Sequence, residues 1–165
     1  MNILQIFSTI KWFVFDIDGV LSDGLLTVMP NGVMVRRMSM KDGYALQLAV
    51  KQGYPISIIS GGSSVEVKER LNKLGIHDIH LQVRDKKKVL EELIMINNIH
   101  AKEILYMGDD VPDLEVMKIV GLPCCPADAS RDILDASIYI SPYNGGQGCV
   151  RDVVEKVLRL HEKWM

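Results

Sequence analysis

A chain of 165 residues, 48% apolar and 24% charged, has the length of one compact domain with a real core and the balance of a soluble globular protein. Its net charge of -2 excludes the basic field that nucleic-acid binding requires, and its three cysteines, Cys124, Cys125 and Cys149, form neither a disulfide framework nor a zinc pattern. No apolar run approaches membrane-spanning length, and Met1–Ile10 lacks a basic n-region and a cleavage signature, so the expectation is a cytoplasmic protein with free thiols and neither membrane nor nucleic-acid partners.

The first apolar run, Trp12–Phe15, reads as a buried strand that delivers Asp16 and Asp18. Residues i and i+2 of an extended chain point the same way, so if extension continues past Phe15 both carboxylates face one small volume. Gly19 then lets the chain turn away or approach a ligand closely. Two acids that close repel one another unless a cation lies between them or one stays protonated, and either state serves catalysis. Next, Leu25–Met29, the turn Pro30-Asn31-Gly32 and Val33–Met38 read as an inserted β-hairpin spanning about residues 25–38. A two-stranded ribbon is marginal alone, so it either folds onto its own domain or pairs with another subunit. The subunit contact is favoured, because an unpaired apolar edge invites partners.

The run Ile56–Ile59 is the next strand, followed by Ser60, Gly61 and Gly62. Ser63 then caps a helix with Glu66 three residues on, Val67, Leu71 and Leu74 form its stripe, and Gly75 stops it. Ile79–Leu81 is a short third strand, after which Asp85-Lys86 opens a helix with Val89, Leu90, Leu93 and Ile94 on one face. Lys87 and Lys88 belong to its solvated first turn. Ile104–Met107 is a strand followed by Gly108, Asp109, Asp110 and, one turn on, Asp113. Cys124-Cys125 lies in a buried strand, and Ile138–Ile140 is another. Gly145–Gly148 is either a flexible loop or a substrate contact. Val150, Val153, Val154, Val157 and Leu158 then mark the clearest amphipathic helix. His77, His80, His100 and His161 show no metal-ligand spacing and read as surface or structural.

Strands alternating with helices indicate an α/β fold: a three-layer Rossmann-like parallel sheet with helices on both faces. One domain over residues 1–165, with the hairpin inserted and no cap domain, is the expected organisation. In such sheets ligands bind beyond the carboxyl ends of the strands. The residues expected there are Asp16, Asp18, Ser60, Gly61, Lys86, Asp109, Asp110 and Asp113. Carboxylates, a small hydroxyl beside glycines and one lysine suit phosphate chemistry on a hard cation such as Mg²⁺, which takes oxygen ligands. The metal, Lys86, Ser60 and nearby backbone N–H groups would offset the repulsion between a phosphate and Asp16.

Asp16-Ile17-Asp18-Gly19-Val20, Ser60-Gly61, Lys86 and Gly108-Asp109-Asp110 with Asp113 resemble the four ordered motifs of the haloacid-dehalogenase-like phosphatases. The resemblance spans nearly the whole chain and implies an aspartyl-phosphate mechanism. It makes Asp16 the nucleophile and Asp18 first the acid that protonates the leaving alkoxide, then the base that activates water. It also implies Mg²⁺ held by Asp16, the backbone carbonyl of Asp18, and Asp109. Ser60, Gly61 and Lys86 would bind the phosphoryl group, while Asp110 and Asp113 would order the metal's waters or Lys86.

The short chain, the hairpin, Lys41-Asp42-Gly43-Tyr44, and Gly145-Gly146-Gln147-Gly148 with Arg151 are similar to the capless 3-deoxy-D-manno-octulosonate 8-phosphate phosphatases of lipopolysaccharide synthesis. That group builds a homotetramer through its hairpins, and a neighbouring subunit's C-terminal region helps close the active site. Asp42, Arg70 and Gln147 are the candidate substrate contacts. Ser60 stands where Thr is common, and Gly62 and Gln147 where some relatives place Arg, the natural bidentate partner of a carboxylate. The alternatives are a nine-carbon sugar-acid 9-phosphate phosphatase, or a non-catalytic tetramerisation module of the kind attached to some nucleotide-sugar synthetases.

Overall fold

The computed structural model describes residues 2–165. In chain order its elements are α1 (Ile3–Ser8), β1 (Trp12–Phe15), β2 (Thr27–Val28), β3 (Met34–Val35), α2 (Met40–Lys51), β4 (Ile56–Ile59), α3 (Val65–Lys73), β5 (Asp78–His80), α4 (Lys86–Asn97), β6 (Ile104–Met107), α5 (Leu114–Met117), β7 (Leu122–Cys125), α6 (Arg131–Ala136), β8 (Tyr139–Ile140) and α7 (Cys149–Leu160). Six strands form one parallel sheet in the order β5-β4-β1-β6-β7-β8, and β2 and β3 form a separate antiparallel ribbon.

β1 is the central strand, and alternation of its side chains builds both faces of the core. Phe13 and Phe15 pack with residues of α1, α2, α3 and α7, while Trp12 and Val14 pack with residues of α4, α5 and α6. A sheet covered on both faces needs strands that are apolar throughout, which is why β1 and β6 read as unbroken runs. Trp12 satisfies its indole by donating to Ser57 Oγ at 2.9 Å. From α7, Val150, Val153, Val154, Val157 and Leu158 are all buried, each stabilising the fold by roughly 1.5–3 kcal/mol.

The order of the strands locates the cleft. The chain proceeds outward from β1 to β4 and β5, then returns across β1 to begin β6 and runs the other way. The reversal between β1 and β6 leaves a crevice at their carboxyl ends. The two ends are level: Phe15 pairs with Met107, and the Asp16 N–H donates to Met107 O at 3.1 Å.

Several boundaries differ from the sequence expectation. The hairpin ladder is only two residues long on each side, with Thr27 opposite Val35 and Val28 opposite Met34. Met38 instead bridges back to Ser22, tying the root of the hairpin to the turn after β1. The cap of α3 is Ser64, whose Oγ accepts from Val67 N at 3.3 Å, rather than Ser63. Strand β5 starts and ends one residue earlier than Ile79–Leu81. Cys124 and Cys125 do lie in a buried strand, β7, and all three cysteines are free and buried.

Candidate active site

Asp16 leaves β1 in extended conformation, and its carboxylate turns inward, where Oδ1 accepts from Ile17 N at 2.7 Å. The chain then kinks through Ile17–Leu21, with Gly19 at φ +83°. A Cβ on Gly19 would lie 2.0 Å from Asp109 Oδ2, so only glycine lets the loop after β6 come this close to the turn after β1.

Lys86 is the first residue of α4 and is 5% exposed. Its ammonium lies 3.0 Å from Asp16 Oδ2 and donates to Asp113 Oδ1 at 2.7 Å. Burial alone opposes its charge, but Asp16 and Asp113 beside it raise its pKa above the usual lysine value. Asp113 is 1% exposed, and both its oxygens are occupied. Oδ1 also accepts from the Tyr106 hydroxyl at 2.6 Å, and Oδ2 from the N–H groups of Asp109 at 3.0 Å and Asp110 at 3.4 Å. Asp110 caps the short turn Val111–Asp113, accepting from Val111 N at 2.8 Å.

The opposite wall comes from β4. Ser60 is buried, and its Oγ accepts from Gly62 N at 3.1 Å, which leaves the hydroxyl proton to donate elsewhere. The cleft between the walls has a volume of about 480 Å³ and is lined by Asp16, Asp18, Ser60, Gly61, Lys86 and Asp109, together with Asp110 and Asp113. Asp18 does not turn inward with Asp16. It lines the same cleft from the rim, where Arg36 from the end of the hairpin donates to it through Nε at 2.6 Å and Nη2 at 3.2 Å.

The three candidate substrate contacts do not join this cluster. Asp42 is buried and accepts from the N–H groups of Gly148 at 3.2 Å and Arg151 at 2.7 Å, so it fastens the start of α7 to α2. Arg70 lies over Gly43 and reaches Met40 Sδ at 3.6 Å. Gln147 is exposed and lines a different cavity with Tyr143 and Arg151. The loop Gly145–Gly148 is anchored: Gly146 N donates to Val20 O at 2.8 Å, and Gly145 N to Asp128 Oδ1 at 2.9 Å.

Two participants escaped the sequence reading. Tyr106 carried a usable signal, because a tyrosine inside a doubly covered strand must find a partner for its hydroxyl. Arg36 carried none, since nothing local fixes where a hairpin arm lies relative to the sheet.

The donor set fits a hard cation. Asp16, Asp109 and Asp113 each offer a carboxylate oxygen within 4.8 Å of the others. With Asp113 saturated by donors, Asp16 and Asp109 are the two left to hold an ion. Burial first, and then Asp113, push the Asp16 carboxyl up to about 6 against the pull of Lys86. Burial first, then Asp16, Asp113 and Asp110, push Asp109 up to about 7. The carboxylates of Asp16, Asp109, Asp110 and Asp113 around the buried Lys86 are an excess of negative charge that a divalent cation relieves.

Both shifts raise the folded value above the ordinary 3.8, so the associated stability is full at low pH and is lost as pH climbs through about 6 and 7. Mg²⁺ should therefore raise the melting temperature more at pH 8 than at pH 5. Its affinity in calorimetric titrations should fall on the order of a hundredfold or more over the same descent, because protons compete for both ligands. Affinity independent of pH would exclude these two carboxylates as the ligands.

A parallel sheet with acidic residues at the ends of β1 and β6, and a buried lysine between them, defines a haloacid dehalogenase-like hydrolase; the model of that family matches residues 76–152. The chain is 30% identical to the 3-deoxy-D-manno-octulosonate 8-phosphate phosphatase of Yersinia pestis over 98% of its own length and 87% of that protein's. It belongs to the 3-deoxy-D-manno-octulosonate 8-phosphate phosphatase family. The crystal structure of the Yersinia pestis enzyme superposes with a TM-score of 0.94. The Moraxella catarrhalis phosphatase, in complex with magnesium, phosphate and the sugar acid, superposes with a TM-score of 0.91 at 33% identity, covering 95% of this chain and 90% of that one. A cobalt-bound form of the Haemophilus influenzae phosphatase gives 0.90 at 26% identity, with 96% and 92% covered. The sheet, its flanking helices and the small hairpin are thus those of this family.

Proposed function

We propose that the protein is a Mg²⁺-dependent phosphomonoesterase that hydrolyses 3-deoxy-D-manno-octulosonate 8-phosphate to the free sugar acid and phosphate. The observation that carries this reading is the buried Asp16–Lys86–Asp113 chain at the crevice between β1 and β6, in a member of that phosphatase family. An Asp16 oxygen attacks phosphorus while the bond to the sugar oxygen breaks, and Asp18 gives that oxygen its proton. Asp18 then takes a proton from water as the water attacks the aspartyl phosphate, returning Asp16 and releasing phosphate. Ser60 Oγ, the N–H of Gly61 and Lys86 bind the phosphoryl oxygens, and Asp113 holds Lys86 in place. Asp16, Asp109 and the Asp18 main-chain carbonyl would hold Mg²⁺, which when bound offsets the negative charge shared by the carboxylates and the phosphoryl group. Asp110 shapes the loop that presents Asp109.

The domain is a single unit over residues 1–165 with the hairpin as its insertion. The hairpin leaves Leu25, Val28, Met34 and Val35 exposed on a ribbon too short to be stable alone, which supports a homotetramer built through it. In that assembly Arg70 and Gln147, outside the cleft of their own protomer, contribute to a neighbour's active site. Among the described residues no helix is long and apolar enough to cross a membrane, and three buried free thiols suit a reducing compartment; we place the protein in the cytoplasm.

Phosphate release measured across eight- and nine-carbon sugar-acid phosphates, with Mg²⁺ present and then chelated, tests the reading. The eight-carbon substrate should give the highest kcat/KM and the chelated sample almost none. Preference for the nine-carbon ester would move the assignment to that substrate, and no release from either would reject it. Val28→Glu combined with Met34→Glu should convert the tetramer to smaller species in light scattering and lower kcat/KM. A wild-type monomer with full activity would refute the assembly.

A further inference from the structure

We propose that Arg36, at the foot of the hairpin, is a positioning residue for Asp18: it fixes the plane of the carboxylate that moves protons in both half-reactions. The inference rests on the phosphatase reading above and adds to it a residue outside the four motifs. The Arg36 side chain is only 11% exposed, while that of Asp18 is 38% exposed. Its Nε donates to Asp18 Oδ1 at 2.6 Å and its Nη2 to Oδ2 at 3.2 Å, a two-point grip that a single ammonium cannot reproduce. The other contact to this carboxylate is weak, from Ser22 Oγ at 3.3 Å. Without the guanidinium, the Ser22 hydroxyl is the one side-chain hydrogen bond left to the Asp18 carboxylate among the described residues.

Gly62 completes the arrangement. A Cβ there would lie 3.2 Å from Asp18 Oδ2, 3.5 Å from Ser60 Oγ and 3.6 Å from Arg36 Nη2. The proton-transfer group, the phosphate-side hydroxyl and the guanidinium thus converge on one point that carries no side chain. The hairpin, whose Gly32, Val33 and Met34 line a neighbouring cavity with Gly61 and Gly62, reaches the proton-transfer group through this contact.

Attack by Asp16 forms its O–P bond as the bond to the leaving oxygen breaks with both electrons. A sugar alkoxide needs a proton from Asp18 at that moment, whereas p-nitrophenolate leaves without one. The second half-reaction is common to both substrates once Asp18 has lost its proton, to the sugar oxygen or, with the aryl ester, to solvent: water then gives a proton to Asp18 as it bonds to phosphorus, and the P–O bond to Asp16 breaks. Misplacing Asp18 therefore slows both halves for the sugar phosphate and only the second half for the aryl ester.

In the full-length protein with Mg²⁺, Arg36→Met should lower kcat on the sugar phosphate by about 30- to 100-fold, the range expected when a catalytic group loses its orientation. On p-nitrophenyl phosphate the variant should release one equivalent of nitrophenolate per site in a rapid burst, then turn over slowly. Both kcat and KM for this ester should fall, with kcat/KM within about threefold of wild type. Arg36→Lys, keeping the charge but one bond fewer, should recover part of the rate.

A raised KM with unchanged kcat would overturn the proposal in favour of substrate binding by Arg36. A uniform loss without a burst, accompanied by a lower melting temperature, would reduce the pair to a structural tie and overturn it too. Unchanged kinetics in a wild-type-active background would overturn this inference alone. A wild type inactive on both esters would remove the phosphatase reading itself.

Discussion

Asp16→Asn should lower kcat by about 10⁴-fold or more while leaving a folded protein. An amide oxygen is a poor nucleophile toward phosphorus and cannot yield the acyl phosphate that water later opens, so neither half-reaction proceeds by its normal route. The fold should tolerate the change, because an amide fills the same volume and its oxygen can still accept from Ile17 N. Lys86 keeps its bond to Asp113. Removing the charge also removes one of the groups that push the Asp109 carboxyl up, so that group should titrate closer to its ordinary range. Circular dichroism should be unchanged, and the metal-free melting temperature at pH 8 equal to wild type or higher. Near-normal turnover in this variant would sink the assignment of Asp16 as nucleophile.

Lys86→Met should have the largest effect on stability. The ammonium is the one cation bonded to Asp16 and Asp113 among the described residues, and both acids are buried. Deleting one partner of a buried ionic cluster costs about 3–5 kcal/mol, because the remaining charges are neither solvated nor compensated. The penalty should depend on pH with a definite sign. Lys86 is among the groups that lower the Asp16 value, so without it the folded carboxyl rises further above 3.8. A raised folded value gives stability at low pH that is lost as pH rises, so the deficit in urea unfolding should be smaller at pH 5 than at pH 8. Millimolar Mg²⁺ should recover part of the stability. Activity should fall by about 10³-fold, since a positive donor aimed at the phosphoryl oxygens is lost with the structural one. A variant as stable as wild type at pH 8 would mean that the cluster does not need its cation.

What could be read from the chain follows a physical division. Strands β1, β4 and β6 are buried on both faces and therefore announce themselves as apolar runs, and each is followed immediately by residues that line the cleft. Helix α7 is legible because its apolar positions recur with helical spacing. Helix α2 is not: Gly43 interrupts its pattern, and the Arg70 guanidinium from α3 that lies over it has no local signal. Asp42 is equally opaque, because its partners, the N–H groups of Gly148 and Arg151, stand more than a hundred residues away in the chain. The divergence of Asp18 from Asp16 has the same origin: strand geometry predicts a common direction, but the kink after Ile17 and the pull of Arg36 decide the outcome. Local pattern determines which atoms arrive at the cleft, and contacts between distant segments determine how they are turned.

The packing of Gly145 against Gly19 has a consequence for how such a protein can diversify. A Cβ on Gly145 would lie 2.0 Å from Gly19 O, so the glycine loop is the floor on which the Asp16–Asp18 turn rests. The hairpin tip by contrast touches almost nothing: a Cβ on Gly32 would meet no atom within 4 Å. Added bulk at the tip would meet no packed atom of its own chain, although the φ of +81° at Gly32 still favours glycine there. A side chain at Gly145 would instead displace the turn that carries Asp16 and Asp18, so the loop before α7 can change only together with the catalytic turn resting on it.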